Sequence, residues 1–290
     1  MKTISNPDAM RAETLRARAQ RLRVGFVPTM GALHEGHLSL VRRSRAECGL
    51  TAVSIFVNPA QFGHGEVFAR YPRDLDRDGR MLEAEGVDVL FAPAPSDVYK
   101  PGHATWVEAP SLAQGLCGAF RPGHFRGVAT IVAKLFNVVR PDAAYFGQKD
   151  AQQAALIRRM AADLDFRIEI VGCPTVREPD GLAMSSRNAY LSEEERREAP
   201  TLHAALKAAR DAVAAGVRSG GALRRIVLGR LEGSRFEPQY VEVVRSEDLS
   251  PIERLEGEIL IAAAAHLGAT RLIDNVIVQV PAPGASESTR

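Results

Sequence analysis

The chain has 290 residues, and its 37 Lys and Arg against 35 Asp and Glu leave a formal charge of +2, too balanced for the basic footprint of a nucleic-acid-binding protein. No run approaches the roughly 20 apolar residues of a membrane span, and residues 1–23 are polar and Arg-rich with no apolar signal core. A soluble, cytoplasmic protein with neither membrane nor nucleic-acid partners is therefore expected. Cys48, Cys117 and Cys173 are scattered and lack metal-ligand spacing, and they read as reduced core thiols.

In chain order, short apolar runs predict strands at 24–27, 52–57, 87–91, 143–146 and 168–171, and helical periodicity predicts helices at 37–48, 74–85 and 151–163. That alternation implies an α/β fold whose parallel strands are joined by crossover helices. Ligands of such open sheets bind beyond the carboxyl ends of the strands, so the residues that follow the strands are the candidates for chemistry. A largely apolar helix over 128–139 is expected to pack under the sheet. Past Pro174 the texture changes. A surface segment at 176–191, an Ala- and Arg-rich amphipathic region at 193–231 and strand candidates at 240–244, 259–264 and 273–280 predict a second, smaller α+β domain. The expected limits are 1–175 and 176–290, with the polar tail 281–290 disordered.

The most informative segment is Val27-Pro28-Thr29-Met30-Gly31-Ala32-Leu33-His34-Glu35-Gly36-His37. It sets two imidazoles three residues apart where a buried strand turns into a helix. Unsatisfied N–H groups and the positive end of the helix dipole favour phosphate there, and imidazoles can donate hydrogen bonds to oxygens that gain charge in nucleotidyl transfer. The same spacing also suits solvated cap residues or part of a metal site.

After the next strand, Asn58-Pro59-Ala60-Gln61-Phe62-Gly63 offers amide groups to a ligand with hydroxyl and carboxylate oxygens, or is an ordinary Asn-Pro turn. Gly63-His64-Gly65-Glu66 reads as a loop that closes over substrate. Asp74 and Asp78, four apart on one helix face, suit a Mg2+ with its waters, or a solvated face paired with Arg73 and Arg77. Gly147-Gln148-Lys149-Asp150 places a lysine at a strand end in a chain whose positive charge is mostly arginine, which suits a phosphate oxygen or a pairing with Asp150. His124 and Arg126 can reach an anion or cap the helix that follows. Asp180-Gly181-Leu182-Ala183-Met184-Ser185-Ser186-Arg187-Asn188 combines hydroxyls with a guanidinium, groups able to wrap a triphosphate.

His34-Glu35-Gly36-His37, followed about 150 residues later by Met184-Ser185-Ser186-Arg187, resembles the paired His-Ile-Gly-His and Lys-Met-Ser-Lys-Ser signatures of class I aminoacyl-tRNA synthetases and related nucleotidylyltransferases. Ala183 and Ser186 stand where the second signature has lysines. The longer strings, 28–37, 54–62, 71–73, 146–150 and 180–188, match in order and spacing and resemble the pantothenate synthetase family over most of the chain. That resemblance implies a Rossmann-like, doubly wound N-terminal domain, a C-terminal domain that closes over ATP, Mg2+ and a cytoplasmic homodimer. It also implies ATP-dependent joining of pantoate and β-alanine, with AMP and pyrophosphate released. By position it assigns ATP contacts to Met30, Gly31, Ala32, Leu33, His34, Glu35, Gly36, His37, Gly147, Gln148, Lys149, Asp150, Val176, Met184, Ser185, Ser186 and Arg187. It gives Gln61 and Gln153 to pantoate, with Asn58 beside them, and carries the family's proton-donor label to His37. His34, Lys149 and Arg187 join His37 as the expected catalytic set, and Asp78 is the expected metal contact. Arg77 stands where relatives often carry an acidic residue, and Gln148 where glutamate is common.

Overall fold

The computed structural model describes residues 1–63 and 68–280. The closing loop read at Gly63-His64-Gly65-Glu66 falls mostly on 64–67, and the tail on 281–290, so both lie outside the described residues. Contacts divide the chain into two compact units, Met1–Val176 and Arg177–Arg290. Among the described residues no helix is long and apolar enough to cross a membrane.

The first unit is built on a parallel sheet. Its strands are β1 (Lys2–Ile4), β2 (Val24–Thr29), β3 (Leu50–Ile55), β4 (Val89–Phe91), β5 (Ala143–Gly147) and β6 (Glu169–Cys173), in the spatial order β1-β4-β3-β2-β5-β6. β2 pairs with β3 on one side and β5 on the other, every pairing parallel. Val24, Phe26 and Val27 are fully buried, as are Ala52 and Val53, because helices cover both faces of the sheet. The longer helices are α1 (Pro7–Ala19), α2 (Glu35–Glu47) and α3 (Leu75–Ala84). Three one-turn helices follow, α4 (Pro95–Val98), α5 (Pro110–Ala113) and α6 (Cys117–Phe120), and then α7 (His124–Val139) and α8 (Ala151–Asp163).

The predicted strands and helices fall within a few residues of the observed ones. Unpredicted are the one-turn helices α4, α5 and α6, and β1 and α1 in the stretch that reads only as polar and Arg-rich. There the core takes a narrow stripe of Met10, Thr14 and Ala17, too thin to stand out among the arginines, and the helix starts at the Asn6 cap, whose side chain accepts the Asp8 and Ala9 N–H groups. α7 is buried over most of its length, in line with its apolar sequence. The sheet order reverses direction between β2 and β5, and at such a switch point the loops leaving the carboxyl ends part and leave a crevice.

The second unit, from Arg177, packs α10 (Thr201–Ala214) and α11 (Gly220–Leu231) on an antiparallel meander of β7 (Phe236–Arg245), β8 (Glu258–Leu267) and β9 (Thr270–Gln279), after a short α9 (Glu193–Glu198). One apolar cluster runs from Leu202 and Leu206 through Leu223 and Val227 to Ile259 and Ile261. Asp274 on β9 is 4% exposed. It accepts two hydrogen bonds from the Arg177 guanidinium (2.7 and 2.9 Å), and His203 Nδ1 lies 3.3 Å away. Burial alone raises this carboxyl's pKa, but the His203 and Arg177 contacts outweigh it and hold it below the ordinary 3.8. A depressed carboxyl stabilises the fold above its unfolded pKa, and that contribution is lost as the pH falls through the folded value. Asp274→Ala, which strands the Arg177 charge, is expected to lower the urea unfolding free energy at pH 7 by about 3–5 kcal/mol. A loss under 1 kcal/mol contradicts this role for Asp274.

Candidate active site

The turn after β2 begins with two successive left-handed residues, Gly31 (φ 82°) and Ala32 (φ 51°). Gly31 is required twice over, since a Cβ there would also sit 3.0 Å from Asp78 Oδ2 and 3.1 Å from the Ile55 side chain. This backbone is held from α3. Asp78 Oδ2 accepts the Ala32 N–H (2.7 Å) and Asp78 Oδ1 the Leu33 N–H (3.0 Å). Arg77 braces both partners, donating to Asp78 Oδ1 (3.2 Å) and to the Leu33 carbonyl (3.2 Å).

His34 then caps α2. Its Nδ1 accepts the Gly36 N–H (3.1 Å), while His37, one turn in, reaches back so that its Nδ1 accepts the His34 N–H (3.3 Å). The arrangement is a capping box in which imidazoles replace the usual hydroxyl and carboxylate. Its chemical consequence is specific. A ring nitrogen that accepts a hydrogen bond carries no proton, so in the neutral tautomer of each ring the proton sits on Nε2. The capping turn therefore sets two Nε2–H donors, with ring centroids 4.1 Å apart.

The same contacts oppose imidazolium formation. Burial is the main cause, and with the nearby Lys149 charge it pushes the His34 pKa down to about 4; burial and His34 push His37 down to about 3. Both rings are neutral at pH 7. Lys149 acts electrostatically on each of them, which brings the β5 end and the β2 turn into one field, as the switch point requires. Lys149 Nζ lies 3.8 Å from Asp150 Oδ1, with its side chain 17% exposed.

The turn after β3 holds the amides. Asn58 is 1% exposed, and its polar atoms are all engaged by protein. Oδ1 accepts the Tyr99 hydroxyl (2.8 Å) and the Ala60 N–H (3.3 Å), and Nδ2 donates to the Gly127 carbonyl and to Gln61 Oε1 (both 3.1 Å). Asn58 is thus a strut behind Gln61, where the sequence reading has it offer its own amide to substrate. Gln61 Nε2 is left facing Met30 Sδ (2.8 Å), a weak acceptor that a ligand oxygen can replace. From the other side His124 Nδ1 bonds the Gln61 carbonyl (2.8 Å). Helix α7 reaches this turn only because residue 127 is glycine: a Cβ there would lie 2.3 Å from the Ala60 carbonyl oxygen. Gln152 is spent on structure, bonding Cys117, Leu112 and Gly115 backbone groups, while the Gln153 side chain on the same helix makes no hydrogen bond to a described residue. Arg126 stacks on Trp106 and lies 3.5 Å from Glu108.

The metal expectation meets a poor donor set. Asp74 caps α3 by accepting the Arg77 N–H (2.8 Å). Asp78 lies inward with both oxygens on backbone N–H groups and a guanidinium beside them. Among the described residues no three His, Cys, Asp or Glu side chains gather as a metal site. Asp78 is a poor metal donor in this arrangement, because its oxygens already accept two backbone N–H groups and the Arg77 guanidinium sets a positive charge beside them.

With this geometry in view, the comparisons decide the family. The family profile described as Pantoate-beta-alanine ligase matches residues 2–277. The chain belongs to that family. A curated family relative, pantothenate synthetase from Heliobacterium modesticaldum, is 56% identical over 258 residues, which span 89% of this chain and 92% of that one. The pantothenate synthetase of Thermotoga neapolitana is 50% identical over 281 residues, 96% and 100% of the two chains. Among solved structures, pantothenate synthetase from Thermus thermophilus superposes with a TM-score of 0.90 at 47% identity, covering 95% of this chain and 99% of that one. Pantoate-beta-alanine ligase from Francisella tularensis, complexed with beta-gamma ATP and beta-alanine, does so with a TM-score of 0.78 at 33% identity, covering 96% and 97%.

The pantoate-beta-alanine ligase residues expected from sequence divide between the two units. Residues 30–37, 58, 61, 147–150, 153 and Val176 are on the first. Met184, Ser185, Ser186 and Arg187 are on the second, where Ser185 Oγ accepts the Arg187 N–H (3.2 Å) and Asn188 ties the turn to Glu178 and Ala183 (3.0 and 3.1 Å). Sequence reasoning missed Tyr99, His124 as a backbone support, and Gly127. Each acts through a partner 40 or more positions away, so no local pattern marks it.

Proposed function

We propose that this protein condenses pantoate with β-alanine at the expense of ATP through a pantoyl adenylate. The observation that carries the reading is the pair of neutral imidazoles, each with Nδ1 spent on a backbone N–H and its proton on Nε2, next to Lys149 at the sheet's switch point in a member of this family. A pantoate carboxylate oxygen attacks the α-phosphorus and the bond to the bridging oxygen breaks, so that pyrophosphate leaves with the electron pair. The β-alanine amine then attacks the acyl carbon, AMP departs with the C–O bonding pair, and the amine sheds its extra proton to solvent. A carboxylate needs no base to become a nucleophile. The two Nε2–H donors and the Lys149 ammonium instead stabilise charge that grows on the phosphate oxygens.

Residues 30–37, Gly147 to Asp150, Val176, Met184, Ser185 and Ser186 make up the proposed ATP contacts, with Arg187 as the further phosphate cation. Gln61 and Gln153 hold pantoate. ATP enters as its Mg2+ complex, the metal travelling with the substrate, and the working form is a cytoplasmic homodimer. Support comes from the fit of donors to a nucleotide and from the Francisella tularensis relative, whose structure holds beta-gamma ATP and beta-alanine.

Pyrophosphate release with MgATP is the test, run with pantoate alone, β-alanine alone, both together, and other hydroxy acids. The expected result is release that needs pantoate and turns over repeatedly only when β-alanine is added. Repeated release without an amine indicates a nucleotidylyltransferase, release with another acid moves the substrate assignment, and no release under any condition overturns the reading.

A further inference from the structure

The amide end that Gln61 presents is not free to choose. Asn58 Oδ1 faces two donors, the Ala60 N–H and the Tyr99 hydroxyl, and Asn58 Nδ2 faces the Gly127 carbonyl, which can only accept. Those partners fix which end of Asn58 is oxygen and which is nitrogen. Since Asn58 Nδ2 also donates to Gln61 Oε1, Gln61 must turn its Nε2 the other way, toward Met30. Of the groups that set this order, Tyr99 is the one side chain outside the 58–61 turn.

We propose that Tyr99 is a positioning residue for the acid substrate, acting through Asn58 to hold the Gln61 carboxamide with its N–H end toward the substrate's oxygen. The proposal rests on the reading of Gln61 as a pantoate-binding residue. The chain of bonds runs Tyr99 hydroxyl to Asn58 Oδ1, Asn58 Nδ2 to Gln61 Oε1, Gln61 Nε2 to ligand. Every member is an oriented donor, so each bond polarises the next. Burial raises the Tyr99 pKa to about 12, which keeps the hydroxyl a donor throughout the working pH range. The ring is itself wedged: Phe56 lies at 6.4 Å, His103 edge-on at 5.0 Å and Trp106 at 6.4 Å between centroids, with Lys134 Nζ 5.6 Å from the ring centre. A wedged ring can aim its hydroxyl, which a mobile one cannot.

The experiment is steady-state kinetics of the full chain as Tyr99→Phe, Gln61→Ala and the double variant, with pantoate and ATP varied separately. Loss of one hydrogen bond is expected to raise KM for pantoate about five-fold in Tyr99→Phe, with KM for ATP and kcat within about two-fold of the parent. In the Gln61→Ala background Tyr99→Phe is expected to add nothing, because its effect has no route left. Equal penalties in both backgrounds, a parallel rise in KM for ATP, or an unchanged KM for pantoate each overturn the proposal. Trp106, the chain's one tryptophan, supplies the structural control, and its emission is expected to match the parent in Tyr99→Phe; a shifted emission with lost activity points to a purely structural role and also counts against it. Failure of the functional reading is distinct, because the parent itself then releases no pyrophosphate with pantoate. If another acid supports release, its KM is read in place of pantoate's.

Discussion

Alanine at His37 is expected to slow pantoate-dependent pyrophosphate release by about 100- to 1,000-fold, the loss seen when one preorganised donor is removed from a developing oxyanion, while glutamine at the same position is expected to retain most of the rate. The reason lies in the cap. His37 Nδ1 accepts the His34 N–H at 3.3 Å and its proton is on Nε2. A glutamine carboxamide can reproduce both halves, accepting through Oε1 and donating through Nε2, but cannot deliver a proton as an acid. Equal loss in both variants favours the family's proton-donor label over the electrostatic role.

The pH dependence gives a second readout. With His34 and His37 pushed down to about 4 and 3, no imidazolium of this pair is lost between pH 6 and 8, and kcat/KM for ATP is expected to show no step there that His37→Gln abolishes. The sign for stability is opposite to that of a histidine paired with a carboxylate. The unfolded chain takes up protons at both histidines below about 6.5 while the folded chain does not, so unfolding binds protons and stability falls with pH through that range. Urea unfolding at pH 7 and pH 5 is expected to show a smaller loss in His37→Ala than in the parent.

The second large effect is expected at Asp78. Asp78→Ala leaves the Ala32 and Leu33 N–H groups without their acceptor in a region that is 1% exposed at residue 78, and each stranded donor costs about 1–3 kcal/mol. It also frees a turn that carries two left-handed residues in succession and that ends in the His34 cap. A stability loss of about 2–6 kcal/mol in urea, with KM for ATP raised at least ten-fold, is expected from the two unmade bonds. Asp78→Asn separates the clasp from a metal contact. Its amide keeps one acceptor but turns a donor toward the second N–H, so the clasp reading expects weaker ATP binding with an unchanged Mg2+ requirement at saturating ATP. A raised Mg2+ requirement with intact ATP affinity supports a metal role instead.

Much of the first unit was legible because strands covered on both faces read as unbroken apolar runs. The stretches at 24–27, 52–57 and 143–146 lie on or against β2, β3 and β5, and the helix predicted at 151–163 coincides with Ala151–Asp163. The histidine pair was legible for the same local reason, since a strand-to-helix turn and its cap residues are neighbours in sequence. Asp74 and Asp78 read alike in sequence, because a four-residue spacing places two carboxylates on one face when both lie within a helix. Asp74 is instead the cap, and Asp78 turns inward to the neighbouring loop.

From the sequence alone came the alternation of elements, the switch from α/β to α+β near residue 176, and the turns that carry His34, Gln61 and Lys149, each set by periodicity and by residues a few positions apart. Tertiary structure alone decided what those side chains can do. The ring tautomers depend on which backbone N–H each Nδ1 meets, the Gln61 polarity depends on Tyr99 and on a Gly127 carbonyl 69 positions from Asn58, and the Asp78 role depends on a loop 45 positions away. Hydrogen bonds are directional and saturable, so a side chain's remaining capacity is known only once the distant groups that use up its lone pairs and protons have been brought beside it.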